Sequence, residues 1–286
     1  MNSRWVRVGI IGGLENGQAL CDYLSSNRFV HIEFIVTYPE TEKAIKSDEN
    51  CPVLHTHNAM ECLELKYDSP LDYIFVAGWS GLLNDDVLAF ASEGVVGFHP
   101  SKLPKDRGRS VLAWQIEEGY SETALTMFYY TNVPDGGDII AQELIAIDCS
   151  DNVGDLLKKV TRSTKNLITA HFPLMRNSIA QRISQCHSES TVRRLRTDDD
   201  SEIIWNAGTQ TIYNKVRAVT RPYPGALSSY HKTRVVIWEV EVLDITFKQY
   251  APLSSQIGDV VAEFSDGTYV VKARDGFIKV IDYEKQ

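Results

Sequence analysis

The chain has 286 residues, 43% hydrophobic and 23% charged, with 29 Lys and Arg against 38 Asp and Glu and a formal net charge of −9. That length allows one large domain or two smaller ones, each with a real core. The acidic balance argues against broad, sequence-independent nucleic-acid binding, which needs a basic surface, but it leaves room for a local basic patch.

In chain order, Arg7 to Ile11 reads as a short apolar strand ending in Gly12-Gly13, and Gly17 to Ser25 has helical spacing. His31 to Tyr38 and Leu71 to Ala77 read as strands, Asn84 to Glu93 as a helix, and Gly94 to Phe98 as extended. Short apolar strands alternating with helices are the pattern of a parallel sheet covered on both faces. Ala124 to Tyr130 and Ile139 to Ile147 add strands around the turn Pro134-Asp135-Gly136-Gly137. A long helix is expected from Val153, with Val153, Leu156, Leu157 and Val160 on one face.

The composition changes after residue 184. Residues 185–202, rich in Ser and Arg and carrying Asp198-Asp199-Asp200, have the signature of a linker. A short helix is expected from Ile203, ending before Arg221-Pro222-Tyr223-Pro224-Gly225. Val235 to Ile245, Gln256 to Phe264 and Tyr269 to Ile281 are strand-like, with turns at Asp266-Gly267 and Asp275-Gly276. That spacing suggests a small all-β barrel or sandwich. The expected organisation is a domain over 1–184, a linker over 185–202 and a β domain over 203–286.

Several features carry little chemistry. GIIGGLENG lacks the GxGxxG spacing of a dinucleotide site, and a plain strand-to-helix turn is the better reading. His55 and His57 have no Cys or carboxylate at metal-ligand spacing, so no metal is expected. The five cysteines (21, 51, 62, 149 and 186) are scattered without a CxxC pair and read as reduced thiols of a cytoplasmic protein. The N-terminal apolar run is too short for a signal peptide, and no apolar stretch suggests a membrane span.

The stretch GVVGFHPSKLPKDRGRS, residues 94–110, is different. A polar side chain at the C-terminal end of a parallel strand faces the crevice where open α/β sheets bind ligands. His99 stands there, and imidazole is suited to moving a proton near neutral pH. Pro100 and Pro104 restrict the following loop, while Arg107 and Arg109 offer charge-assisted donors to an anion. Asp135 sits at a second tight turn followed by two glycines. If the loops meet, His99 and Asp135 form a pair; a structural role for the histidine stays open on residue types alone.

Taken together, these residues resemble the folate-dependent formyltransferases. His99-Pro100-Ser101-Lys102-Leu103-Pro104, Arg107-Gly108, Trp114-Gln115-Ile116 and Gly119 are similar to the family's HPSLLPxxRGxxPxxWxIxxG motif. Asp135-Gly136-Gly137-Asp138-Ile139, with Gln142, is similar to its DxGxI motif. Arg217-Ala218 and Thr220 to Ala226 look like the entry to its C-terminal barrel. The resemblance implies a Rossmann-like, mostly parallel catalytic domain followed by a small OB-like β-barrel. It also implies transfer of a formyl group from N10-formyltetrahydrofolate to a primary amine, with His99 and Asp135 as the catalytic pair. The pterin would lie against Gly78, Trp79, Leu82 and Leu83 and near Asp138. Ser101, Lys102, Arg107 and Arg109 would meet the amine substrate.

One departure stands out. The family's catalytic Asn, two residues before the His, is Gly97 here, which removes a donor worth roughly 10²–10³ in rate. A backbone N–H, Ser101 or a substrate group would have to replace it. Phe128 stands where a histidine is common. Thr220 to Ala226 and the element Trp114-Gln115-Ile116 to Gly119 look more like enzymes that formylate nucleotide-linked amino sugars, and residues 203–286 carry no basic run for tRNA, so the amino sugar is the favoured acceptor. Methionyl-tRNA, formyl-folate hydrolysis and a non-catalytic folate- or nucleotide-binding homologue are the alternatives, and a homodimer is left open.

Overall fold

The computed structural model describes residues 4–39, 43–47, 50–65, 70–244, 247 and 254–286. Tertiary contacts divide it into two compact units. The first comprises Met1–Gly108, Thr123–Ile145 and Lys158–Arg193; the second comprises Arg109–Glu122, Ala146–Leu157 and Arg194–Gln286.

In chain order the elements begin β1 (Val6–Gly12), α1 (Leu14–Ser25), β2 (Val30–Thr37), β3 (Val53–His55), β4 (Leu71–Ala77), α2 (Asp85–Leu88) and β5 (Ala91–His99). They continue with β6 (Arg107–Gly108), α3 (Val111–Glu117), β7 (Glu122–Tyr129), β8 (Ile139–Ala146) and α4 (Val153–Arg176). The last are β9 (Val192–Arg193), α5 (Thr209–Val219), β10 (Ala226–Tyr230), β11 (Thr233–Leu243), β12 (Val260–Glu263), β13 (Tyr269–Lys272) and β14 (Phe277–Lys285).

The first unit is an α/β unit on a seven-stranded sheet of order β3-β2-β1-β4-β5-β7-β8. The pairs from β3 through β5 are parallel, and β7 runs antiparallel to β5. Val8, Ile10 and Ile11 of β1 and Ile74 and Phe75 of β4 are fully buried, because central parallel strands are covered on both faces. The run 84–93 is not one helix. Only Asp85–Leu88 is helical, capped by the Asn84 side chain accepting from the Val87 N–H at 3.1 Å. From Ala91 the chain is instead claimed by pairing with β4, a tertiary override of local spacing.

The second unit carries a five-stranded antiparallel sheet of order β10-β11-β14-β13-β12. Ala226–Ser228 of β10 and Val235–Ile237 of β11 are buried runs rather than an alternation, and Val235, Ile237, Val270, Ile278 and Val280 lie in the core. The helix expected from Ile203 begins only at Thr209, whose N–H donates to Asp275 Oδ1 at 2.7 Å. That cap comes from a residue distant in sequence, which the preceding Gly208 could not signal. Ile245, the expected end of one strand, lies outside the described residues.

Residues 185–193, read from composition as part of a linker, pack into the first unit. β9 pairs in parallel with β6, and Thr191 fastens the neighbouring backbone. No helix among the described residues is long and apolar enough to cross a membrane.

Candidate active site

Strand β5 carries His99 to its last position, where the residue is only 6% exposed. Its Nε2 lies 2.7 Å from the carbonyl oxygen of Asp106. A carbonyl only accepts, so Nε2 carries the proton and Nδ1 is left as the proton-exchanging atom. Nδ1 faces Asp135 Oδ1 at 3.5 Å. The other oxygen, Oδ2, accepts from the Gly108 N–H at 2.8 Å, which orients the carboxylate toward the ring. The two loops singled out in the sequence therefore meet.

Side chains from neighbouring strands lace the loop after His99 into place. Thr126 Oγ1 donates to the Ser101 carbonyl at 2.6 Å, and Gln142 Nε2 donates to the Leu103 carbonyl and to Thr126 Oγ1, both at 2.9 Å. Asp106, the residue that holds Nε2, is buried, and its carboxylate pairs with Arg193 Nε at 2.7 Å. Asp135 has φ 52°, a left-handed conformation that Asp tolerates better than most residues. At Gly137 a Cβ would stand 1.9 Å from the Tyr129 carbonyl oxygen, so only glycine lets the turn close against β7.

Gln185, assigned from composition to the linker, is the residue that sequence reasoning missed. It is 7% exposed, and its Nε2 donates to the carbonyls of Asp135 (2.9 Å) and Gly137 (2.7 Å). Its Oε1 accepts from Arg107 at 2.6 Å. Arg107 thus braces the Asp135 turn from inside the fold, 5% exposed, with His187 Nδ1 3.2 Å from its guanidinium. That placement differs from the expected one, in which Arg107 met an anionic substrate: a buried guanidinium is held by such partners.

The remaining expected residues fall into separate groups. Ser101 is fully buried, and its Oγ donates to the Lys105 carbonyl at 2.7 Å; Lys102 is exposed. Arg109 is exposed and belongs to the second unit. Trp79 stacks on Tyr38 at 4.9 Å between centroids, and its indole Nε1 is buried without a hydrogen-bond partner. Gly78 has φ 65°, Leu83 packs on the core, and Leu82 is 85% exposed. Asp138 Oδ1 accepts from Ser184 at 2.9 Å. It lines a cavity of about 390 Å³ with Tyr129, Tyr130, Asn132, Arg182 and His187. Among the described residues no group of three or more His, Cys, Asp and Glu is placed to hold a metal ion.

Gly97 pairs with Phe128 across β5 and β7. A Cβ built there would lie 2.0 Å from Tyr130 Cε2 and 2.9 Å from its Cζ, so the tyrosine ring occupies the space of a side chain at 97. Tyr130 stacks on Phe128, with centroids 5.1 Å apart and planes at 18°. Burial pushes its phenol up, and the nearby charge of Asp135 adds to the shift, so the hydroxyl stays protonated.

Comparison with known proteins gives the family. The family model described as formyl transferase matches residues 6–171, and that of the formyl transferase C-terminal domain matches residues 196–286. Among solved structures, HypX from Aquifex aeolicus in complex with tetrahydrofolic acid is similar at 17% identity and a TM-score of 0.71. The match covers 98% of this chain but 44% of HypX, so the chain spans less than half of that protein's length. An N-formyltransferase from Helicobacter canadensis, in complex with folinic acid and dTDP-3-aminofucose, is similar at 17% identity and TM-score 0.71, covering 98% of this chain and 100% of that one. Methionyl-tRNA formyltransferase from Clostridium thermocellum is similar at 19% identity and TM-score 0.60, covering 83% and 94%. These likenesses carry the fold, while the two domain matches span most of the sequence: the chain belongs to the formyl transferase family.

Proposed function

We propose that this chain transfers a formyl group from N10-formyltetrahydrofolate to the primary amine of a nucleotide-linked amino sugar. The observation that carries the reading is the His99–Asp135 pair at the end of β5, inside the family-matched segment. His99 Nδ1 takes a proton from the attacking amine, while Nε2 stays bonded to the Asp106 carbonyl. Asp135 holds the resulting imidazolium, and Gln185 holds Asp135 through its backbone. The amine nitrogen bonds to the formyl carbon as the bond from that carbon to N10 breaks. The proton on Nδ1 is then returned to N10, so the transfer balances without an external reagent.

Residues of the first unit suit the folate. Trp79 carries a buried indole N–H without a partner and Leu82, three residues on, is exposed and apolar, groups that suit a flat heterocycle with polar edges. When bound, the folate supplies the activated formyl carbon. Gly78, Trp79, Leu83 and Asp138 are the residues assigned to hold it.

The acceptor reading rests on how the second unit spends its cations. Arg194 pairs with Asp200, Arg196 and Lys215 with Glu117, Arg221 with Asp282 and Glu284, and Arg234 with Glu202. Binding a tRNA backbone requires cations available to phosphates, and these five are engaged by carboxylates, although Arg109, Lys232, Arg274, Lys279 and Lys285 of the same unit are not among them. The test is formyl transfer from N10-formyltetrahydrofolate to dTDP-3-aminofucose, to a panel of other nucleotide amino sugars and to Met-tRNA. Sugar formylation that falls roughly 10²–10⁴-fold in His99→Ala and Asp135→Asn is the expected result. Transfer to Met-tRNA alone refutes the acceptor, tetrahydrofolate release without any amine points to hydrolysis, and no turnover at all refutes the reaction.

A further inference from the structure

Attack on a formyl carbon gathers negative charge on its oxygen, and a donor aimed at that oxygen is worth roughly 10²–10³ in rate. The His99–Asp135 pair handles protons on the amine, so the oxygen needs another group. In an antiparallel pair, opposed residues point to the same face, and so do residues two apart on one strand. Gly97, His99, Thr126 and Phe128 therefore share one face of the sheet, and Tyr130 follows Phe128 by two.

Among the described side chains on that face, Thr126 and the neighbouring Ser101 are already spent, whereas Tyr130 is not. Thr126 Oγ1 donates to the Ser101 carbonyl, and Ser101 Oγ donates to the Lys105 carbonyl. Gly97 and Phe128 have no donor on their side chains. The Tyr130 hydroxyl forms no hydrogen bond with any described residue, yet it lies close enough to Asp135 to feel its charge. Its ring covers Gly97, and the hydroxyl, one bond beyond Cζ, is within a short side chain's reach of the point where a Cβ would stand. Phe128, stacked on one side, holds the ring in that place.

We infer that the Tyr130 hydroxyl donates the hydrogen bond to the formyl oxygen, in the space that glycine at 97 leaves open. This rests on the formyl-transfer reading above. It makes Gly97 and Tyr130 a matched pair: a side chain at 97 would exclude the ring, and the ring brings the donor that 97 lacks. Tyr130 is then a catalytic residue, while Phe128 positions it.

The test is Tyr130→Phe, which removes the hydroxyl and keeps the ring. Formyl transfer from N10-formyltetrahydrofolate to dTDP-3-aminofucose, and in parallel to Met-tRNA, is compared with wild type. Tetrahydrofolate affinity by calorimetry and the urea midpoint of the unliganded protein are measured alongside. The expected result is a kcat roughly 10²-fold lower with affinity and midpoint unchanged. Combining Gly97→Asn with Tyr130→Ala, which puts a short amide donor into the emptied space, should then exceed Tyr130→Ala alone in rate. Wild-type kcat in Tyr130→Phe overturns the assignment and leaves formyl transfer standing. A fall in kcat that comes with weaker folate binding and a lower midpoint also overturns it, because that is the signature of packing. A wild type inactive toward both acceptors overturns the formyl-transfer reading, and this inference with it.

Discussion

Adding a single methyl group at Gly97 should destabilise the first unit, and the cost should vanish when Tyr130 is cut back. In Gly97→Ala the new Cβ meets Tyr130 Cε2 at 2.0 Å, against ordinary contacts of 3.4–4 Å, so the ring must move by more than an ångström. It has little room. Phe128 is stacked on it, and both buried clusters around β4 and β7 pack against it. Overpacking of this kind costs about 1–3 kcal/mol. Tyr130→Ala removes the clash along with the ring, so adding Gly97→Ala to it should change stability little. The double-mutant cycle should give a coupling of about 1–3 kcal/mol between the two positions. Urea denaturation of the four proteins measures this, with unchanged slopes identifying a change of stability rather than of the unfolded state. Gly97→Ala with a wild-type midpoint, or strictly additive effects, would refute the packing argument. The same geometry bears on Gly97→Asn, the direct way to reintroduce an amide donor. Alone it should lower stability without raising turnover, since the ring already fills the space the amide would need.

Gln185→Leu keeps the volume but strips hydrogen bonds from Arg107, Asp135 and Gly137 in a buried setting. A loss of about 2–4 kcal/mol by urea denaturation is expected, with kcat falling more than folate affinity; an unchanged kcat would mean that Asp135 needs no such brace. Asp200 is held below the usual carboxylate range, chiefly by its hydrogen bonds from Arg194. Its stabilising effect is therefore present above the unfolded carboxylate's pKa of about 3.9 and is lost as pH falls through the lower folded value. Asp200→Asn should be less stable than wild type at pH 7, with the gap shrinking below about pH 4; a gap constant with pH would count against the ion pair. Burial pushes the Cys62 thiol up to about 11. A thiol reagent at pH 8 should label exposed Cys149 and Cys186 in the native protein and reach Cys62 only after unfolding, which mass spectrometry of the labelled peptides reads directly.

Much of the fold was legible because its signals are local. The apolar runs of β1, β4 and β5 announce buried strands, and Asp135-Gly136-Gly137 announces a tight turn, with Asp135 at φ 52° and two glycines where a Cβ would clash. The true length of α2 was not legible, because pairing between Leu71 and Ala91 overrides the helical spacing of 84–93. Nor was the start of α5, because its cap, Asp275, arrives from the far end of the chain.

The site divides along the same line. His99, the prolines after it and Asp135 stand out in the sequence because each sits in a stretch whose residue types restrict the backbone, and those stretches carry the family resemblance. Residue types along the chain are enough for that much. They are silent on partners chosen by packing. Gln185 lies in a stretch that reads as linker, yet it ties Arg107 to the Asp135 turn. Arg107 reads as a cation for substrate or a buttress for its loop, and burial against Gln185 selects the brace. Gly97 reads as a missing donor until the chain folds and Tyr130 is seen to fill its place. Space and hydrogen-bond partners are shared between segments far apart in sequence, and they acquire owners only when those segments are packed together.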